Sequence, residues 1–439
     1  MTSNPSLVVW SRAAANDLAR GLLTPLTWSI LSRSAERAVR SHYSAWGVTL
    51  PAGAPIWRRM EGRAFLNTSA LTAADQAVAA SEAEATSGWR LFKRSAERRE
   101  NAALRGQIEQ APARFAATQQ WWERVQTMQW RQATVLQVME EIEPQAEAVL
   151  TARDYLTTGL GAGRRQLTRW VAEWQPASSS AIFDDLFAGL DGREGWAQYR
   201  YDLQGLTEAA RQDATIAELL TQLPNPSGIV SNYPITQSPN PSGTVPNHPV
   251  IQSPISLPEG AFQQAFDAFI TTYARWADQP LETASPRWPE APQALLARLA
   301  VRLAETPETS LSSPQAARQR RAAAGARIGG EIDARRRSQF EPVFGQLQQI
   351  VYLLPPSREA LVTVMAVARR WALGAAQEAV NDGRLPAVED VFLLELEELK
   401  QVMTGEWSSP EQVLPLVERR RAEQAAWAGQ EPAEVVEGK

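Results

Sequence analysis

A proline-rich tandem duplication interrupts the middle of this 439-residue chain. Two copies of about fifteen residues start at Asn225 and Asn240, and proline, serine, asparagine and glycine dominate residues 223–257. Proline at this density removes backbone hydrogen-bond donors and favours extended geometry, so a packed core cannot form there. We therefore expect a flexible insert between two helical halves, residues 1–222 and 258–439. A tolerated loop expansion is the favoured interpretation, and a proline-rich recognition ligand is the alternative.

Outside the insert, the sequence is typical of long helices. Alanine, leucine, glutamate, arginine and glutamine dominate one segment after another, and these residues favour helix. We expect a mainly α fold, a multi-helix domain with long helices and no convincing sheet. Short runs such as Arg63–Asn67 and Val391–Leu394 could each add a strand or an extended connector. The expected helices include Ala111–Glu140, Pro144–Leu156, Arg164–Trp174, Ala261–Trp276, Glu331–Leu353 and Arg358–Asn381.

The residue inventory excludes several kinds of chemistry. The chain has no cysteine and only two histidines, so disulfides, thiolate catalysis and multi-histidine metal sites are not expected. His248 lies in the insert, and His42 is not accompanied by a GxSxG nucleophile motif. The net charge of −5 gives no whole-chain case for binding nucleic acid or anionic lipid. We expect no cofactor in this chain.

No segment has the pattern of a signal peptide or a membrane span. The first residues lack a basic stretch followed by an apolar one, and the longest apolar candidate, Leu361–Ala376, contains Arg369 and Arg370. Its apolar residues fall on one helical face, which indicates a packed helix. We expect a soluble cytoplasmic protein.

Two kinds of local cluster each have a structural and a functional interpretation. The glycine-rich stretch Gly159–Arg165 lacks the phosphate-loop pattern and follows no strand, so we expect a connector between helices. Carboxylates at Asp184-Asp185 and at Glu395, Glu397 and Glu398 are read as helix caps or solvated faces, with Mg²⁺ binding as the alternative.

Aromatic and basic clusters add two hypotheses. Tryptophans within residues 121–130 and 170–174 are spaced to meet on helices, which favours core packing over an aromatic-lined ligand cavity. Arginines within residues 318–337 form a basic band in which acidic residues are sparse. A solvated or intramolecularly paired helix face is the favoured interpretation, and contact with nucleic acid or nucleotide is the alternative.

The N-terminal segment resembles part of a known family. Trp10-Ser-Arg-Ala is followed, at a fixed distance, by Gly21-Leu-Leu-Thr-Pro-Leu-Thr-Trp-Ser29. This arrangement resembles W-[ST]-x-A-N-x-x-E-x-x-P-G-x-x-T-P-L-T-W-S of the phosphoenolpyruvate-utilising enzymes, which include phosphoenolpyruvate synthase (pyruvate, water dikinase) and rifampin phosphotransferase. The family's Asn, Glu and first Pro are replaced here by Ala14, Asp17 and Arg20.

The resemblance continues in order along nearly the whole chain. The further matching segments are Gly62–Asn67 (G-R-x-Y-x-N), Asp185–Leu190 (D-L-x-x-G-L), Phe266–Trp288, and Arg358-Glu359 followed by Glu389–Glu398. Within the third of these, the family's G-H-R-G tetrad is Ala274-Arg-Trp-Ala277, and its Glu and Asp fall on Pro280 and Glu282.

The resemblance implies the helical acceptor-binding domain of such an enzyme. The family's enzymes also contain an ATP-grasp domain that phosphorylates a histidine and a swivelling domain that carries it, and no segment here resembles either. The implied function is a stand-alone substrate-binding-domain relative, not catalytic alone, that acts in trans with separately encoded ATP-grasp and phosphohistidine proteins. A helical scaffold or interaction protein is one alternative. A nucleic-acid-associated helical protein that uses the arginine band is the other.

The resemblance also implies a site. The acceptor pocket is expected where residues 24–28, residues 273–288 and the helix starting at Arg358 meet. The implied substrate contacts are Thr24, Thr27, Trp28, Arg275, Trp276, Glu282, Arg287, Trp288 and Arg358. The three arginines suit a carboxylate or phosphate. Trp276 stands where the family has arginine, which favours a larger apolar or aromatic acceptor.

Overall fold

Two long helices, α4 (Gln132–Trp174) and α11 (Ala334–Asn381), pack along each other and form the frame of the fold. Two hydrogen bonds join these helices. The indole Nε1 of Trp371 donates to the carbonyl oxygen of Val135 (2.8 Å), and Nη1 of Arg153 donates to Oγ of Ser357 (3.0 Å). Between these contacts the facing surfaces are apolar, so burial of this interface supplies much of the core.

The computed structural model describes residues 8–15, 18, 21–45, 48–77, 90–174, 179–190, 194–223, 257–305, 313–407, 409–430 and 432–438, without the side chains of 90–101 and 179–181. The remaining helices are α1 (Pro25–Ala45), α2 (68–77), α3 (Arg90–Thr127), α5 (Ser179–Leu186), α6 (Ala197–Gln212), α7 (Ala214–Thr221), α8 (Ala261–Thr272), α9 (Pro292–Ala304), α10 (Pro314–Glu331), α12 (Leu396–Thr404) and α13 (Pro410–Ala428). The strands are β1 (Val8–Ser11), β2 (Trp57–Met60), β3 (Arg63–Asn67) and β4 (Val435–Gly438). The predicted mainly α fold is confirmed.

The four strands form an antiparallel sheet in the order β2-β3-β1-β4. In it, Trp10 of β1 lies opposite Asn67 of β3 and Val436 of β4. The expectation of no convincing sheet is therefore wrong, although the strand option at Arg63–Asn67 is confirmed. Strands of four or five residues are too short to give a clear period-two pattern, and β1 meets β4 from the far end of the sequence. The other short run falls mostly in a 3₁₀ helix, Val388–Leu393.

The expected connector at Gly159–Arg165 is wrong, because α4 runs through it without a break. Close packing explains why glycine is tolerated there. A Cβ on Gly159 would lie 3.0 Å from the side chains of Leu104 and Ile350, which is tighter than ordinary contact. Tertiary packing thus overrides the low helix propensity of glycine.

Helix α11 also differs from its prediction, since one helix replaces the two expected on either side of Pro355-Pro356. Proline cannot donate to the carbonyl four residues before it. The two carbonyls that lose a donor belong to Val351, which is half-buried, and Tyr352, which is exposed. Water can reach this face, so the helix continues through the prolines.

Two further helix boundaries differ from the prediction. The helix expected over Ala111–Glu140 is divided, because α3 ends at Thr127 and α4 begins at Gln132. At the break, Oγ1 of Thr134 accepts from the backbone N–H of Arg131 (2.9 Å), which satisfies a donor of the new helix. The helix expected to reach Trp276 ends as α8 at Thr272.

Helix α11 is long and apolar enough to cross a membrane by length and composition, but 72% of its most apolar 18-residue stretch is buried within the fold. Leu361, Val364 and Met365 have essentially no exposed surface. The prediction of a packed helix at Leu361–Ala376 is therefore confirmed.

One hydrophobic core contains residues from both sides of the proline-rich insert. Leu26 and Val149 precede the insert, Met365 and Leu399 follow it, and all four are fully buried in the same cluster. The insert itself, with His248, lies outside the described residues from 224 to 256. Its flexibility and the division into two halves stay predictions.

Candidate functional site

The N-terminus of α1 meets the segment that follows α8 through one buried carboxylate, that of Glu282. Its Oε1 accepts hydrogen bonds from Oγ1 of Thr24 (2.7 Å) and Oγ1 of Thr27 (2.8 Å). Its Oε2 accepts from the backbone N–H of Thr24 (2.9 Å), and the N–H of Ala284 also donates to Oε1 (2.7 Å). A carboxylate here satisfies donors at the helix start and interacts favourably with the helix dipole. Three predicted site residues, Thr24, Thr27 and Glu282, therefore meet. The carboxylate of Glu282 accepts its hydrogen bonds from the protein itself.

Arg287 and Trp288 hold the same segment against α11. The guanidinium of Arg287 donates to the carbonyl oxygens of Pro280 (2.8 Å) and Met365 (3.0 Å). Burial, with the nearby Arg369, lowers the pKa of Arg287 to about 9. Trp288 is completely buried. Both side chains therefore make contacts within the fold. Their role as ligand contacts stays a prediction.

Trp276 lies in an aromatic cluster with side chains from the region of α6. Its indole stacks on the ring of Tyr199 with centroids 4.3 Å apart, and Trp196 contacts it edge-on at 5.4 Å. Burial raises the pKa of Tyr199, so this phenol stays neutral. The indole Nε1 of Trp276 donates to Oε2 of Glu359 (2.5 Å). The cluster thus joins the segment after α8 to α11.

Arg275 and Arg358 are held by different kinds of contact. Nη2 of Arg275 lies 2.5 Å from Oε1 of Glu359 in a salt bridge, and Arg275 also donates to the side chain of Gln119. The Oε1 contact is an ion pair whose angles are not those of a hydrogen bond. Arg358 is fully buried, with its guanidinium carbon 4.0 Å from the ring centroid of Trp196. Such a cation–π contact is favourable where water is excluded.

We call the meeting place of residues 24–28, 273–288 and 358–365 the junction. Its interior is filled, because Trp288 and Arg358 have no exposed surface and Glu282 is 7% exposed. Solvent reaches it at the rim formed by Arg275, which keeps 16% of its side-chain surface, and Glu359, which keeps 32%. At this rim the guanidinium of Arg275 and the carboxylate of Glu359 lie side by side, with Oε1 of Glu359 itself buried.

One predicted residue, Trp28, packs against a different cluster. The half-buried indole of Trp28 packs beside a separate small cluster that contains Leu23 and Ala64. The structure also adds three residues that the sequence prediction missed, Glu359, Trp196 and Tyr199. Only Glu359 carried a signal, since it is the second residue of the Arg358-Glu359 pair quoted for the resemblance. The aromatic partners have no such motif.

The arginine band is largely engaged within the fold. Arg321 is buried and donates to the carbonyl oxygen of Ala188. Nε of Arg337 donates to the carbonyl oxygen of Gly329 (2.6 Å), and Arg327 is paired with Glu331 on the same helix. These contacts support the intramolecularly paired interpretation, and nucleic-acid binding stays an untested alternative.

The acidic clusters act at helix ends and in ion pairs. Glu395 and Glu398 form a capping box at the start of α12, and Glu398 is also paired with Arg420 (2.5 Å). Asp185 lies 3.6 Å from Arg320. In the part of the chain that the structure describes, no group of three or more histidine, aspartate or glutamate side chains is placed to hold a metal ion.

The predicted tryptophan clusters are mostly structural. Trp121 and Trp122 are buried in the main core, and Trp130 packs against it. The rings of Trp170 and Trp174 stack with centroids 5.0 Å apart beside a smaller core cluster. Core packing is therefore the better interpretation of these residues.

A cleft of about 610 Å³ lies away from the junction, between α1, α4 and α12. Most of its charged side chains are engaged in ion pairs. Arg37 is paired with Glu143 (3.1 Å) and Glu147 (3.0 Å), and Lys400 is paired with Glu140 (2.7 Å). None of the residues that the resemblance implies for the site lines this cleft, so size alone does not make it the better candidate.

Comparison of the sequence with known proteins identifies no relative: no protein-family model matches the chain, and no curated protein matches it.

Proposed function

We propose that this chain is a cytoplasmic ligand-binding domain related to the acceptor-binding domain of phosphoenolpyruvate synthase and rifampin phosphotransferase. The observation that supports the proposal best is the junction itself. Residues 24–28 and 273–288, which the resemblance expects to surround an acceptor together with the helix at Arg358, lie in direct contact through Glu282. Segments this far apart in sequence have no local reason to meet, so their contact supports the resemblance.

The rim of the junction suits an acceptor that carries a hydroxyl group. The carboxylate of Glu359 can accept from a hydroxyl, and the guanidinium of Arg275 can donate to a neighbouring oxygen or anionic group. The buried aromatic cluster around Trp276 lies directly behind them. The proposed preference for a bulky aromatic acceptor over a small one such as pyruvate rests on the resemblance, in which Trp276 replaces an arginine.

The proposed role is binding, with phosphoryl transfer supplied by partners. Transfer requires a nucleotide site and a relay group, and the sequence contains neither a phosphate-loop pattern nor a histidine in the family's phosphohistidine context. We therefore propose that separately encoded ATP-grasp and phosphohistidine proteins act on the ligand held by this chain. The purified chain should not consume ATP or phosphoenolpyruvate, and turnover of either by the chain alone would contradict this part of the proposal.

Calorimetric titration with two probes tests the binding role. Rifampin represents the bulky aromatic acceptor and pyruvate the small one. We expect the wild-type chain to bind rifampin more tightly than pyruvate, and Arg275→Gln to weaken rifampin at least tenfold. Arg327→Gln is the matched control, because it removes the same charge from an exposed position on α10. Equal rifampin affinity in the wild type, Arg275→Gln and Arg327→Gln would show that rifampin does not bind at the rim of the junction.

A further inference from the structure

A second, smaller cavity of about 200 Å³, partly open to solvent, lies between α1, α3, α4 and α11 and shares no residue with the junction. Its walls are mostly apolar, with Leu104, Leu347 and Ile350 on three sides. The polar groups that line it include His42, Tyr155 and Gln346. This arrangement, an apolar space with a few polar groups, is the usual form of a small-molecule site.

Glycines on α4 keep the cavity open. Gly159 and Gly163 both line it, at a place where the helix continues without a break. Glycine inside a helix is less favourable than alanine. A Cβ on Gly163 would lie 3.6 Å from Cδ1 of Leu347, which is ordinary contact, so only a longer side chain would fill the space. The glycine-rich stretch therefore forms a cavity wall instead of a phosphate loop or a connector.

The polar lining includes one buried donor that has no acceptor. The amide Nε2 of Gln346 is buried and has no hydrogen-bond partner among the described residues. An amide N–H shielded from water without a partner is costly, so such a group indicates a bound water or ligand. Gln346 thus defines where the oxygen of an occupant would lie.

The histidine contributes an imidazole that its neighbours hold in place. His42 is 2% exposed, and its Nδ1 lies 2.8 Å from Oδ2 of Asp154, an ion-pair distance whose angles are not those of a hydrogen bond. The ring of Tyr155 lies 4.7 Å from the imidazole. None of the described side chains that line the cavity is an aspartate, glutamate, lysine or arginine, so the cavity favours a neutral occupant.

We propose that this cavity binds a neutral aromatic molecule of the size of phenol, with its ring against the apolar wall and its oxygen accepting a hydrogen bond from Gln346. An apolar protein cavity of about 150 Å³ holds benzene, so a single substituted ring fits the available volume. The site is separate from the proposed acceptor site, and either can fail without the other.

Ligand-observed NMR and calorimetry with phenol and benzene test the proposal. We expect the wild-type chain to bind both, and Gly163→Leu to weaken both at least tenfold by filling the cavity. Gly161→Leu is the matched control on the same helix, because Gly161 does not line the cavity and a Cβ there meets only the end of Arg165. It should leave both affinities unchanged. Both variants should fold, since leucine favours helix more than glycine does.

Gln346→Leu tests the hydrogen bond. Loss of one hydrogen bond should weaken phenol about fivefold and leave benzene unchanged or slightly tighter. A wild-type chain that binds neither probe would show that the cavity holds water only and would overturn the proposal. Equal phenol affinity in the wild type and Gly163→Leu would also overturn it, and equal losses of phenol and benzene in Gln346→Leu would remove the role of Gln346.

Discussion

The hydroxyl of Thr24 donates to the carboxylate of Glu282 across 2.7 Å and joins residues 258 positions apart in the chain. Thr24 precedes the proline-rich insert and Glu282 follows it. The start of α1 therefore depends on a residue from the other half of the sequence. This contact links the stability of the fold to the integrity of the junction.

Removal of this carboxylate should destabilise the whole fold. Glu282→Ala removes the acceptor that the backbone N–H of Thr24 and the hydroxyls of Thr24 and Thr27 share, and we expect it to lower the free energy of unfolding by about 3 kcal/mol. Glu282→Gln retains one acceptor oxygen and should have a smaller effect. Urea denaturation followed by circular dichroism measures both. Glu341→Ala, at an exposed position on α11, is the control and should change the free energy of unfolding little. A change in Glu282→Ala no larger than that of the control would contradict this role.

Limited proteolysis should cut first within the insert and leave the two halves together. The proline-rich composition predicts exposed, extended chain between Leu223 and Pro258. The shared core, which includes Leu26 and Met365, predicts that the fragments remain associated. Gel filtration after mild digestion checks this. Separation into independently soluble halves would contradict the shared core.

Two glycines of α11 should respond in opposite directions to alanine. A Cβ on Gly374 would lie 2.7 Å from the ring of Trp130, so Gly374→Ala must displace that side chain and should cost about 1–3 kcal/mol. A Cβ on Gly345 meets nothing within 4 Å, so Gly345→Ala should gain about 0.5–1 kcal/mol. Thermal unfolding of the pair is the measurement. Shifts of the same sign in both variants would count against the packing described for Trp130.

The contribution of Glu378 to the stability of the wild type should decrease as the pH rises. Burial raises the pKa of Glu378, although Arg384 opposes the shift. A raised native pKa means that the native state holds the proton more tightly than the unfolded state does. The contribution is therefore complete below the ordinary glutamate pKa and is lost as the pH rises through the native value.

Glu378→Gln does not titrate, which gives the test. We expect its melting temperature to exceed that of the wild type at pH 7 and the difference to shrink toward zero near pH 4. Glu341→Gln, at an exposed position, should show no such dependence. A difference in melting temperature for Glu378→Gln that is the same at both pH values would show that the carboxylate does not titrate abnormally.

Helix was predictable here where local propensity and tertiary packing agree, as in the packed helix at Leu361–Ala376. The predictions failed where local propensity and tertiary packing disagree. Pro355-Pro356 and the glycines near Gly159 are helix breakers by local rules, yet both lie within single long helices. Packing against Leu104 and solvent access beside the prolines decide these cases. Neither can be read from a single sequence.

The candidate site was predictable only to the level of segments. Resemblance indicated that residues 24–28 and 273–288 should meet, and they do so through Glu282. It did not indicate that Glu282 would be engaged by threonines, or that Tyr199 would stack on Trp276. Side-chain partners depend on the three-dimensional arrangement of helices, which no spacing in the sequence records.

Hydrogen–deuterium exchange with and without saturating rifampin tests the central claim most directly, because it locates the ligand on the intact chain. The account predicts slower exchange in peptides that cover residues 273–288 and 355–365, with no change in peptides from the cleft at Glu143 and Glu147. Protection confined to that cleft, or no protection anywhere, would contradict the proposal that the junction is an acceptor site.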